Sequence, residues 1–217
     1  MSTPFEAIAH IGVVPVIAIE RVEDALPLAD ALIAGGLPVA EITFRTPAAA
    51  EVLALLAAER PELIAGAGTV LDLASLDACR RSGARFGLSP GFDPAIVDAA
   101  KAAGLPFAPG VMTPTDVTLV AARGFRLAKF FPAGVAGGPA ALEGISAPFA
   151  HLGLRFIPTG GVSLATIGDW LKLKSVAAVG GTWIARTDDI RAGRFGEIER
   201  NAREAVARAR AALEARG

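Results

Sequence analysis

The stretch Val39-Ala40-Glu41-Ile42-Thr43-Phe44-Arg45-Thr46-Pro47 sets the unit from which the fold is built. Its β-branched apolar run predicts a strand. Thr46-Pro47 then predicts a helix start, since a hydroxyl can cap the free N–H groups and proline needs none at the first helical position. The same pattern recurs along the chain. Short apolar runs begin near Val13, Val39, Leu63, Arg85, Pro106, Arg126, Leu154 and Val176, spaced 20 to 28 residues apart, the length one strand-helix unit needs. Asp93-Pro94 and Thr113-Pro114 repeat the helix start. Gly35-Gly36, Gly83 and Gly104 follow alanine-rich segments, where a left-handed residue closes the last turn. Pro27 interrupts the first helical pattern, so that helix starts late or kinks. Eight alternating units predict a closed (β/α)8 TIM barrel rather than an open doubly wound sheet. Residues before Val13 are expected to form a helix capping the barrel floor, and residues 195–216 an amphipathic helix with a solvated face of mixed charge.

Composition narrows the function. At 217 residues the chain is expected to be a single domain, and its 53% hydrophobic content suits strands buried on both faces. With 21 Lys+Arg against 22 Asp+Glu, the net charge of −1 provides no field for nucleic acid or an anionic membrane, which leaves small molecules as partners. No charge-free run approaches the roughly 18 apolar residues of a membrane span, and the start lacks a basic region leading into an apolar core, so a cytoplasmic location is expected. Cys79 is the only cysteine and is expected to pack in the core. His10 and His151 are far apart, with no spacing that presents ligands to zinc, so no metal is expected.

Chemistry is concentrated on two strands. Of four lysines, only Lys129 falls inside an apolar strand, Leu127-Ala128-Lys129-Phe130-Phe131-Pro132. A packed core would not choose an ammonium there. Desolvation favours a neutral amine, the form that attacks a ketone; the alternative is a lysine that snorkels or forms a structural salt bridge. On the second strand Glu41, Thr43 and Arg45 share a face by the period of two. Glu41 can shuttle protons and Arg45 can grip a substrate carboxylate, unless the two form an internal salt bridge that only supports the fold. Gly160-Gly161 and Gly180-Gly181-Thr182 follow the last two strands, where backbone N–H groups can converge on a phosphate, although simple turns also explain glycine pairs.

Glu41-Ile42-Thr43-Phe44-Arg45-Thr46, Gly66-Ala67-Gly68-Thr69-Val70, Ser89-Pro90-Gly91, Lys129-Phe130-Phe131-Pro132-Ala133, Pro158-Thr159-Gly160-Gly161-Val162 and Gly180-Gly181-Thr182-Trp183 occur in this order along essentially the whole chain. Together they resemble the 2-keto-3-deoxy-6-phosphogluconate (KDPG) and 2-keto-4-hydroxyglutarate (KHG) aldolases. The resemblance implies that Lys129 forms an imine with pyruvate, that Glu41 is the general acid/base, and that Arg45 and Thr69 bind the pyruvyl carboxylate. It assigns Gly160, Gly161, Gly180, Gly181 and Thr182 to phosphate, and Pro90, Phe131 and Thr159 to the pocket wall. It further implies a phosphorylated keto acid substrate in the Entner-Doudoroff pathway, no cofactor beyond the imine, and a homotrimer. One departure stands out: such enzymes follow the lysine strand with Pro-Ala-Glu, whereas this chain has Pro132-Ala133-Gly134.

The expected reaction is reversible cleavage of KDPG to pyruvate and D-glyceraldehyde 3-phosphate. Alternatives are cleavage of KHG or of the galactonate-derived epimer, and, outside enzymes, a barrel that only binds phosphate or serves as a scaffold. A scaffold has no use for a buried amine, so Lys129 together with Glu41 and Arg45 favours chemistry.

Overall fold

The computed structural model describes residues 3–217. Strands β1 (Val13–Ile17), β2 (Val39–Thr43) and β3 (Ile64–Gly68) are buried at every position, as expected of parallel strands covered on both faces. They are followed by β4 (Gly87–Leu88), β5 (Phe107–Ala108), β6 (Gly110–Val111), β7 (Leu127–Phe130), β8 (Arg155–Pro158) and β9 (Val179–Gly181). All pairings are parallel. Helices α1 (Pro4–Ile11), α2 (Ala25–Ala34), α3 (Ala49–Glu59), α4 (Leu73–Arg81), α5 (Pro94–Ala102), α6 (Pro114–Ala122), α7 (Gly138–Ser146), α8 (Ile167–Leu171), α9 (Thr187–Arg191) and α10 (Phe195–Arg216) alternate with them.

The α/β alternation agrees with expectation, but the ladder differs from a continuous eight-stranded barrel. Hydrogen bonding divides nine strands into two curled sheets, one ordered β5-β4-β3-β2-β1-β9 and one ordered β6-β7-β8. The fifth unit is split at Pro109, which has no N–H to give to the ladder; its carbonyl still accepts from the Lys129 N–H at 2.8 Å. Between β8 and the β9 side only two isolated parallel bridges form, Phe156 to Val176 and Thr159 to Gly180.

Local signals explain most element ends. Thr113 and Asp93 cap α6 and α5 through their side chains, each with proline in the first turn. Gly36, Gly83 and Gly104 are left-handed at φ 76, 74 and 65°, closing the turns that precede the next strands. Pro27 falls within the first turn of α2, so that helix starts late. Thr46 departs from its expected role as a cap: α3 begins three residues later, and the Thr46 hydroxyl donates to the Ile19 carbonyl at 2.6 Å, tying the loop after β2 to the loop after β1. At the opposite end of the strands, α1 packs Phe5 against Phe86 with ring centroids 5.6 Å apart. Helix α10 buries Ile198, Ala202, Ala205 and Ala209 and packs on α2 and α8. Its other face carries the ion pairs Arg203–Glu199 and Arg210–Glu214. Among the described residues no helix is long and apolar enough to cross a membrane.

Candidate active site

Beyond the carboxyl ends of the strands lies a cavity of about 220 Å3, with Lys129 at its base. Lys129 on β7 is 4% exposed and Glu41 on β2 is 1% exposed. The Lys129 Nζ donates to Glu41 Oε1 at 2.9 Å. Taking two charges out of water costs several kcal/mol per ion in real proteins, so packing alone gives no reason to retain such a pair. Glu41 Oε2 is buried as well and has no hydrogen-bond partner among the described residues. An orphaned acceptor costs about 1 to 3 kcal/mol, which a donor on a bound molecule would offset. The Phe131 ring centroid lies 5.7 Å from Nζ, so its negative face adds to the stabilisation of a cation there.

Arg45 sits at the rim. Its Nε donates to Thr43 Oγ1 at 3.0 Å, and that hydroxyl donates onward to the Ile17 carbonyl at 2.8 Å. The internal Glu41–Arg45 bridge does not form: Glu41 pairs with Lys129, and among the described residues Arg45 makes no ion pair. Its guanidinium is therefore oriented by a neutral hydroxyl and remains available to a carboxylate. Thr43 thus joins the site as an orienting residue; its shared face with Glu41 and Arg45 was the only signal for it. Thr69 and Pro90 line the same cavity from the loops after β3 and β4. Thr69 is the one non-glycine residue with positive φ among those described, at 60°.

The two glycine segments meet on the other side. Gly160 and Gly161 are both left-handed, at φ 87 and 81°, and Thr159 bridges Gly180, which brings the loops after β8 and β9 together. A Cβ on Gly180 would overlap the Thr159 hydroxyl, and one on Gly181 would enter the Trp183 ring, so both glycines are required by close approach. Thr159, Gly160, Gly161, Gly180, Gly181 and Thr182 all face the cavity. Val16 and Val162 complete its wall, and no sequence signal set them apart from ordinary core valines. Every residue expected at the site is therefore gathered around this cavity, with Glu41 reached through its bond to Lys129. A larger depression of about 520 Å3 lies against α1, at the opposite ends of the strands, and holds none of these groups. Among the described residues no cluster of three His, Cys, Asp or Glu could hold a metal ion.

The model of the family "KDPG and KHG aldolase" matches residues 6–201. The chain belongs to this family. It is 43% identical over 205 residues to the KHG/KDPG aldolase of Escherichia coli (strain K12), covering 94% of this chain and 95% of that relative. It is 45% identical over 199 residues to the 2-dehydro-3-deoxy-phosphogluconate aldolase of Dickeya dadantii (strain 3937), covering 92% of each. Among solved structures, the KDPG aldolase of Legionella pneumophila, with pyruvate captured at low pH as a covalent carbinolamine intermediate, superposes with a TM-score of 0.89 at 38% identity, covering 93% of this chain and 97% of that one. In this chain Gly134 packs on the glycine turn: its N–H donates to the Gly160 carbonyl at 2.7 Å, and a Cβ on it would come 3.1 Å from Gly161 Cα. The departure at position 134 therefore bears on how the loop after β7 seats the Gly160-Gly161 turn.

Proposed function

We propose that this protein is a class I aldolase that reversibly cleaves KDPG to pyruvate and D-glyceraldehyde 3-phosphate, using one domain in which the two curled sheets form a single barrel. The observation that carries this reading is the buried Lys129–Glu41 pair with an orphaned carboxylate oxygen beside the cavity. Lys129 passes a proton to Glu41 across their 2.9 Å hydrogen bond, and the resulting amine adds to the C2 ketone; Glu41 returns that proton to the carbinolamine hydroxyl, which leaves as water and gives an iminium. Glu41 takes the proton of the C4 hydroxyl while the C3–C4 bonding electrons flow into the iminium, releasing the aldehyde and leaving an enamine. Protonation of the enamine at C3 and hydrolysis of the imine release pyruvate and restore the amine. Arg45 and Thr69 hold the carboxylate, Gly160, Gly161, Gly180, Gly181 and Thr182 hold the phosphate, and Pro90, Phe131 and Thr159 border the substrate between them. The imine is the only group the chemistry requires, so no cofactor is invoked. Cleavage of KHG is the second reading, favoured by the double name of the Escherichia coli relative. The partners proposed are small phosphorylated keto acids and two further copies of the chain, in the cytoplasm.

The test is borohydride reduction with pyruvate followed by peptide mapping. Label is expected on Lys129 alone, and Lys129→Ala is expected to abolish both labelling and cleavage. Label on Lys101, Lys172 or Lys174 would overturn the assignment.

A further inference from the structure

We infer that Gly68 is a positioning residue: the side chain it lacks is the space in which the Glu41 carboxylate is held against Lys129. The inference rests on the reading of Glu41 as the proton shuttle. Backbone conformation does not call for glycine here, because Gly68 ends β3 in extended register opposite Thr43 and is not among the residues of positive φ. Glycine weakens a strand and in a strand interior marks a bulge or a close approach. Here the close approach is to Glu41. A Cβ built on Gly68 would lie 2.7 Å from Glu41 Cγ and 2.8 Å from Cδ, and would overlap Oε1.

The carboxylate has nowhere else to go. Glu41 is fully buried, and on its other side Lys129 Nζ holds the same oxygen, Oε1. Across the ladder Glu41 is in register with Gly66, yet the space beside Gly66 is filled by the Phe86 ring, which a Cβ there would meet at 2.5 Å. The Glu41 side chain therefore leans two residues forward, towards the cavity, and lies over Gly68. The two glycines of β3 that share a face thus have separate roles: Gly66 admits a core ring, and Gly68 admits the carboxylate.

Gly68→Ala is expected to push the carboxylate off Lys129 and lower kcat by about 10²-fold, as a misplacement of about 1 Å can, with the pH dependence of kcat altered and pyruvate KM little changed. Gly66→Ala is the control: it should destabilise the fold through Phe86 while leaving the pH profile of the folded enzyme in place. In Glu41→Ala the obstruction is gone, so Glu41→Ala/Gly68→Ala should be no slower than Glu41→Ala and should melt higher than Gly68→Ala. If Gly68→Ala does not fold, recovery of folding in the double variant carries the same information. A Gly68→Ala enzyme of normal kcat and pH profile overturns the proposal. So does a double variant slower than Glu41→Ala by the full factor, or one no more stable than Gly68→Ala. Normal turnover in Glu41→Ala would instead remove the role of Glu41 itself, an outcome separable from these.

Discussion

Thr69 combines two demands that a single residue rarely meets. A β-branched side chain in the left-handed region is strained, at a cost of order 1 to 3 kcal/mol, and such residues persist where function holds them. Thr69→Gly relieves that strain but enlarges the freedom of the unfolded chain. A net stabilisation of about 1 kcal/mol is expected in urea unfolding, together with weaker pyruvate binding. A less stable variant would mean that the φ of 60° is comfortable here. Thr159 makes the complementary case. Its hydroxyl has only a long bond, 3.4 Å, to the Ile157 carbonyl, and it lies against Gly180 at the cavity wall. A net hydrogen bond contributes about 0.5 to 1.5 kcal/mol, so Thr159→Val should erode preference for the gluconate over the galactonate epimer by roughly 2- to 12-fold in kcat/KM. An unchanged ratio would make Thr159 a wall and nothing more. Lys129, Glu41 and Arg45 stood out in the sequence, and their place around one cavity was legible, because charges are out of place on apolar strands. Thr43 and Gly68 were not, because a small residue shows its purpose only through the neighbour that fills or touches its space.

At the scale of elements, strand starts were readable to within three residues, from Val13, expected and found, to the last strand, expected near Val176 and found at Val179. Dense apolar runs have few alternatives to burial. Pro109 was not readable as a break, since a proline between apolar residues disrupts pairing only where its missing N–H faces a neighbouring strand. Thr46-Pro47 carried a valid helix-start signal that a competing carbonyl, that of Ile19, captured. Helix α4 shows burial acting on chemistry. Its Cys79 is fully buried, and burial, only partly opposed by the Ala67 backbone hydrogen bond and Arg80, pushes the thiol from 9.0 up to about 12. At pH 8 the native thiol should therefore react with a disulfide reagent about 10³-fold more slowly than the unfolded chain, in addition to any steric protection. Between about pH 9 and 12 the unfolded chain has lost this proton and the folded one retains it, so Cys79 makes stability fall as pH rises. Urea titrations of the parent and Cys79→Ala at pH 8 and 10.5 would show it. Equal pH slopes in the two would remove Cys79 as a cause.

The whole molecule leaves an apolar surface uncovered. Leu71, Leu73, Met112 and Val135 are exposed, Val135 at 84%, and all lie on the segments that follow β3, β6 and β7, around the carboxyl ends of the strands. Exposed apolar residues of this size, gathered at one end, mark a contact surface when they form a patch. The proposed trimer would use them. Light scattering is expected to give three times the 22.1 kDa chain mass, and Leu73→Lys with Val135→Lys should shift it towards one. A single-chain mass for the parent at micromolar concentration would remove the trimer.

What the sequence determined by itself was periodic or chemically anomalous. The 20- to 28-residue recurrence of apolar runs required alternating strands and helices, and one lysine and one glutamate inside those runs required a reason other than packing. The tertiary structure alone decided which charge meets which. Glu41 and Arg45 share a strand face and are natural partners on paper, yet Glu41 bonds Lys129 from 88 residues away. Only folding brings β2 and β7 to the same cavity, and only the space left by Gly68 lets the carboxylate lie there. Spacing along a chain sets which way a side chain points; what it points at depends on distant strands, and no local pattern encodes that distance.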